Sequence, residues 1–222
     1  MTWNIPNILT VLRLLAAPAL GIAFVVFTRP TADWVALVLF VGASLTDWFD
    51  GFLARRWNQT SRFGAMLDPI ADKAMVIIAL TLVVALSGLN PWLVVPGVVI
   101  LFREVFVSGL REFLGADAGR LRVTQLAKWK TTAQMVAITL LLASLGLQEK
   151  LYWMYRSVDQ AGFYAAIASG PSDWNATWVV ARSAWAIGFI GTALFWVAAI
   201  LTAITGWDYF RKSLPFLRED RK

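Results

Sequence analysis

The chain has 222 residues, of which 59% are hydrophobic and only 15% charged, and its mean hydropathy of +0.64 lies outside the soluble range and suits a bilayer as solvent. It contains no Cys and no His, which excludes disulfides, thiolate nucleophiles, imidazole bases and zinc sites built on either side chain. The net charge of +6 comes from basic residues set beside apolar stretches, so the expected counter-surface is anionic lipid headgroups, and nucleic acid is not an expected partner.

Six apolar stretches of membrane-crossing length follow one another, at about 8–27, 32–54, 67–88, 91–110, 130–147 and 183–206. The chain therefore reads as one all-α integral membrane domain over residues 1–222, a bundle of six transmembrane helices. MTWNIPNILT carries no cationic leader, so the first span is expected to stay in the protein. Pro6 and Pro91 suit helix starts, and Pro18 and Pro96 fall inside spans, where a bundle tolerates a kink. Asn7, Thr10 and Arg13 recur every three residues on the first span. The second span ends in SLTDWFDGFLARRW and the third opens with FGAMLDPIADKAM. Arg103 and Arg111 lie toward the end of the fourth span, and Lys128 and Lys130 at the start of the fifth. Residues 148–181, mixed aromatic and Gly/Pro/Ser, read as an outward-facing loop with room for an interfacial helix, and 207–222 as a basic juxtamembrane tail. With an even number of spans, the basic residues concentrate on one side, leaving Arg29, Lys150, Arg156 and Arg182 on the other. The rich side is expected to be cytoplasmic, with both termini there.

Carboxylates in such helices need a reason, because an ionised side chain at membrane depth costs a few kcal/mol, on the order of 3, and usually faces a cavity in a working site. Asp47 and Asp50 are three residues apart, and Asp68 and Asp72 four, so each pair shares a helix face. If the second and third helices lie side by side and antiparallel, the four acids converge on one volume, which calls for metal ions to neutralise it. Hard divalent cations take oxygen ligands, and a pair of them clamps and polarises a phosphoryl group. Gly51 and Ala54 clear space beside the acids for a flat group or a neighbouring backbone, and Gly64 stands one turn before Asp68. Arg55 adds a planar cationic fork suited to phosphate. The bland alternative is that the acids pair with Arg55, Arg56 or Lys73 and only fix helix register. Close helix packing likewise explains each small residue taken singly.

Asp47, Asp50, Gly51, Ala54, Arg55, Gly64, Asp68 and Asp72 together match, at every position, the spacing of the CDP-alcohol phosphatidyltransferase motif, and the chain resembles that family. The resemblance implies a membrane enzyme, a homodimer of six-span protomers, that moves a phosphatidyl group from CDP-diacylglycerol to an alcohol and releases CMP. It implies two divalent cations, Mg2+ or Mn2+, on the four Asp, CDP around Gly51, Ala54, Arg55 and Gly64, and Asp72 as general base. A bacterial inner membrane, with the site facing the cytoplasm, is the expected setting. The segments NIPNILTVLRLLAAP, FREVFVSGLREFLG and AKWKTTAQM resemble the corresponding parts of family members that use glycerol 3-phosphate, giving phosphatidylglycerophosphate. Arg111 and Lys130, then Arg103 and Lys128, are the residues expected at the acceptor phosphate, with Asn7, Thr10 and Arg13 a further set at the same depth. Inositol phosphate, serine or phosphatidylglycerol as acceptor stay open, as do a cation transporter and a purely structural membrane partner.

Overall fold

The structure is a computed structural model that describes residues 5–57, 61–115, 125–170 and 176–217; the side chains of 5, 6, 48–57, 62, 125–128 and 217 lie outside the description. The described elements are helices: α1 Ile5–Val26, α2 Thr31–Trp57, α3 Arg62–Leu86, α4 Pro91–Leu114, α5 Gln125–Ser157, α6 Gln160–Ala168 and α7 Ala176–Leu217. Local chemistry sets several ends. Ser61 caps α3 by accepting from the Gly64 N–H at 2.9 Å, and Asn90 caps α4 by accepting from the Trp92 N–H at 3.0 Å, with Pro91 in the first turn. Gly115 closes α4 at φ +49°, a left-handed conformation that glycine adopts without strain.

Among the described residues five helices are long and apolar enough to cross a membrane: Asn7–Val26, Phe63–Leu86, Pro91–Leu114, Trp129–Ser157 and Ala176–Phe216. The remaining expected span corresponds to α2, a helix of 27 residues whose side chains from 48 onward lie outside the described residues. The outer surface of the bundle carries Leu15, Val38, Phe102, Phe113 and Trp185, a distribution that suits lipid as the surrounding solvent.

The core is one cluster running through α1, α2, α3, α4, α5 and α7, with Leu20, Phe40, Met75, Leu80, Ile100, Ile138, Leu142 and Phe195 buried at its centre. Lipid tails are as apolar as these side chains, so tight packing between small residues, rather than expulsion from water, holds such helices together. Ala17, Ala36, Ala79, Ala137 and Ala198 accordingly sit fully buried. α5 and α7 form the most extensive pairing, and there Gly188 presses so closely on α5 that a Cβ would stand 2.7 Å from Ser144 Oγ.

Two stretches differ from expectation. Residues 148–181 are helical over most of their length, because α5 runs on to Ser157 and α7 starts at Ala176. Gln148 donates to Ser144 Oγ at 2.9 Å and Glu149 pairs with Arg29 at 3.0 Å, contacts that hold α5 helical past the point where its apolar run ends. α6 then folds back with Phe163 against the Tyr155 ring, centroids 5.1 Å apart. The tail from 207 is likewise the continuation of α7, since Tyr209 and Ser213, one turn apart, are buried and Tyr209 packs on Val107 and Leu114 of α4. Residues 218–222 lie outside the described residues.

At the end away from the acidic motif, Arg29 closes a compact network. Its Nε and Nη2 donate to Asp33 at 2.9 Å, Nη1 meets Glu149 at 3.0 Å, and Nη2 reaches the Leu145 carbonyl at 3.4 Å. Burial works to lower the Arg29 pKa, but hydrogen bonding to Asp33 and the charges of Asp33 and Glu149 outweigh it and leave it raised. This network ties the α1–α2 connection to α5.

Candidate active site

The acidic residues meet through α1. Among the described residues α1 packs extensively against both α2 and α3 and so links the two helices that carry the acids. Its polar positions recur at a spacing of three, so Asn7, Thr10 and Arg13 drift slowly around the helix and stay within the buried flank. Each reaches one part of the motif. Arg13 Nη1 lies 2.7 Å from an Asp47 oxygen and 2.8 Å from an Asp72 oxygen, Thr10 Oγ1 donates to Asp68 at 2.7 Å, and Asn7 Oδ1 accepts from Ser61 Oγ at 2.7 Å. Gly64 belongs to the same joint, since a Cβ there would stand 2.7 Å from Asn7 Oδ1. Its missing side chain lets the start of α3 close on α1.

A single guanidinium nitrogen thus serves two carboxylates on different helices, and both carboxylates remain 42% exposed to the space beside them. Arg13 offsets part of the negative charge of these carboxylates. The donors are all carboxylate oxygens, which fit a hard divalent cation. Among the described residues no three of them close into a ready ligand shell, and Arg13 stands between Asp47 and Asp72.

That space is a cavity of about 590 Å3, with two walls of opposite sign. Asp47, Asp68 and Asp72, from the end of α2 and the start of α3, form one wall, with the Lys73 cation beside them. Arg103, Arg111 and Lys130, from the end of α4 and the start of α5, form the other. On the basic wall Glu104 accepts from Lys130 Nζ at 2.5 Å and from Arg103 Nη1 at 3.1 Å, taking up part of both charges. Arg111 stacks its guanidinium 5.2 Å above the Tyr209 ring, so the far end of α7 steadies it. Gly206 gives Arg103 room at the α4–α7 contact, where a Cβ would come within 2.9 Å of Arg103 Cγ.

The structure therefore brings Asp47, Asp68, Asp72, Arg103, Arg111 and Lys130 to one cavity and sets Asn7, Thr10 and Arg13 directly behind its acidic wall. Asp50, Gly51, Ala54 and Arg55 lie in the last turns of α2 and Lys128 in the first turn of α5, with side chains outside the described residues. Sequence reasoning passed over Ser61, Glu104 and Gln134. Each had a local signal: Ser61 stands three residues before Gly64, as a helix cap does; Glu104 is an acid inside an apolar span; Gln134 follows Lys130 by one turn.

The sequence matches the family described as CDP-alcohol phosphatidyltransferase over residues 3–207. A protein of Cereibacter sphaeroides named CDP-diacylglycerol–glycerol-3-phosphate 3-phosphatidyltransferase is 56% identical over 221 residues, covering 100% of both chains. A protein of Shigella flexneri with the same name is 37% identical over 91% of this chain and 90% of its own length. One of Haemophilus influenzae, again of that name, is 42% identical over 62% of this chain and 75% of its own.

Proposed function

The chain belongs to the CDP-alcohol phosphatidyltransferase family, and from that premise we propose that it transfers the phosphatidyl group of CDP-diacylglycerol to sn-glycerol 3-phosphate, yielding phosphatidylglycerophosphate and CMP. The observation that carries the reading is the cavity with an acidic wall facing a basic one. Such a space accepts a pyrophosphate with its cations on one side and a phosphorylated alcohol on the other. Serine, a zwitterion, gains less from a wall of Arg103, Arg111 and Lys130.

Asp47, Asp50, Asp68 and Asp72 would hold two divalent cations, Mg2+ or Mn2+, which supply charge neutralisation and polarise the phosphoryl group. Arg13 holds Asp47 and Asp72 in register across α2 and α3, and Thr10 orients Asp68. Gly51 and Ala54 leave room for the cytidine, and Gly64 lets α1 close behind it. Arg111 and Lys130 bind the acceptor phosphate, with Arg103 and Lys128 beside them. Asp72 takes the proton of the acceptor's primary hydroxyl, whose oxygen attacks the β-phosphorus as the bond to CMP breaks. Arg55 stabilises the departing CMP, and a single direct displacement inverts the configuration at phosphorus.

In this reading α2 is the sixth span, both termini and the cavity face the cytoplasm of a bacterial inner membrane, and the working form is a homodimer. CDP-diacylglycerol enters sideways from the inner leaflet with its acyl chains still in lipid. The test is CMP release by the purified protein with CDP-diacylglycerol and Mg2+, with glycerol 3-phosphate, inositol phosphate, serine or phosphatidylglycerol supplied separately. Release with glycerol 3-phosphate alone is expected. Turnover with a different alcohol keeps the chemistry and replaces the acceptor, and release with none reopens the transporter and structural readings.

A further inference from the structure

We propose that Gln134 recognises the acceptor's secondary hydroxyl, accepting a hydrogen bond from it at the carboxamide oxygen, and so sets the preference for a glycerol backbone over a plain three-carbon chain. The proposal rests on the glycerol 3-phosphate reading above. Gln134 lines the same cavity as Asp72 and Lys130. It is only 3% exposed, and its Oε1 is shielded from solvent with no hydrogen-bond partner among the described residues. Buried polar atoms are nearly always satisfied, and one left open in the wall of a substrate cavity marks where a ligand brings the missing partner.

What the site lacks is a donor, and that limits the ligand. A phosphate or carboxylate oxygen brings no proton. An ammonium does, but the wall formed by Arg103, Arg111 and Lys130 opposes it. Among the groups an acceptor alcohol carries, a hydroxyl is the uncharged donor that remains. Thr131 and Thr132 line the cavity too, yet both already have partners. Gln134 follows Lys130 by four residues on α5, so the two share a face with Gln134 about 6 Å further along the helix axis. A phosphate held at Lys130 and Arg111 then lays the carbon chain alongside Gln134, with the terminal hydroxyl left for Asp72 on the opposite wall.

The experiment compares glycerol 3-phosphate with 3-hydroxypropyl phosphate, which lacks only the secondary hydroxyl, in CMP release by the full-length protein and by Gln134→Met, a change of similar volume. The unsubstituted protein is expected to favour glycerol 3-phosphate by roughly tenfold or more in kcat/KM, since a site built around a hydroxyl rejects the analogue without it. Gln134→Met should bring glycerol 3-phosphate down to the level of the analogue, leaving the analogue's kcat/KM and the KM for CDP-diacylglycerol unchanged. Gln134→Leu should behave in the same way. A preference that survives in both variants overturns the proposal. Equal loss with both acceptors, down to inactivity, assigns Gln134 a purely structural role and overturns it as well, as does an unsubstituted protein that uses the two acceptors equally. An unsubstituted protein that uses neither overturns the glycerol 3-phosphate reading itself.

Discussion

Among the described residues Arg13, within α1, and Arg29, in the α1–α2 connection, each bind two carboxylates, and they do so in different ways. Arg29 spends Nε, Nη1 and Nη2 on Asp33, Glu149 and the Leu145 carbonyl, and the Asp33 side chain is only 1% exposed. Arg13 offers one nitrogen to both Asp47 and Asp72, each of which stays 42% exposed toward the cavity. The outer network is closed, so its charges serve helix position. The inner one keeps half-open carboxylates facing the cavity, an arrangement that favours a cationic ligand. Two ion-pair clusters built from the same residue types thus differ in exposure and in what surrounds their carboxylates.

The comparison breaks most sharply on removal of divalent ions. Chelation by EDTA should abolish CMP release, and Mg2+ or Mn2+ should restore it; turnover that persists in metal-free protein would show that the open cluster works without cations. Asp72→Asn comes next, with CMP release expected to fall roughly a thousandfold while CDP binding changes far less. Near-normal turnover in that variant would remove Asp72 as the base.

Exchanging the arginines sharpens the contrast. Arg29→Leu strands the buried Asp33 and should cost about 3 kcal/mol of stability, read as a lower thermal midpoint in detergent, with turnover per folded molecule preserved. Arg13→Leu should do the reverse, with turnover roughly tenfold lower and a smaller shift in midpoint, since its carboxylates keep access to water and cations. If both variants lose stability and activity in the same proportion, the two clusters do not differ in kind. The smallest effect belongs to Glu149→Gln, under about 1 kcal/mol, because Glu149 is a partly exposed second partner whose loss leaves the Arg29–Asp33 pair intact.

Much of the bundle and the acidic half of the cavity was legible because the signals are local. A carboxylate stands out in an apolar span, and offsets of three and four place it on a face without knowledge of any neighbour. The basic wall was legible only in outline. Arg111 and Lys130 show in the sequence as charges at span ends, a pattern that positive-inside sorting explains equally well, and although Glu104 stands out as an acid inside an apolar span, nothing local pairs it with Lys130 26 residues away. The stretch after 147 was misjudged for a related reason. Its apolar periodicity stops there, while the contacts that extend the helix, Glu149 to Arg29 and Gln148 to Ser144, are made by polar side chains. The end of α7 hid its buried face among basic residues in the same way.

The amino-acid sequence by itself determined the solvent, the helical class and the pairing of carboxylates on single helix faces, because transfer free energy and helical periodicity depend on composition and spacing along one segment. Tertiary structure decided which charges meet. Thr10 reaches Asp68 across 58 residues and Arg13 reaches Asp72 across 59, contacts that exist because α1 packs against both α2 and α3. Such pairings follow from how whole helices fit against one another, and no local pattern encodes that fit.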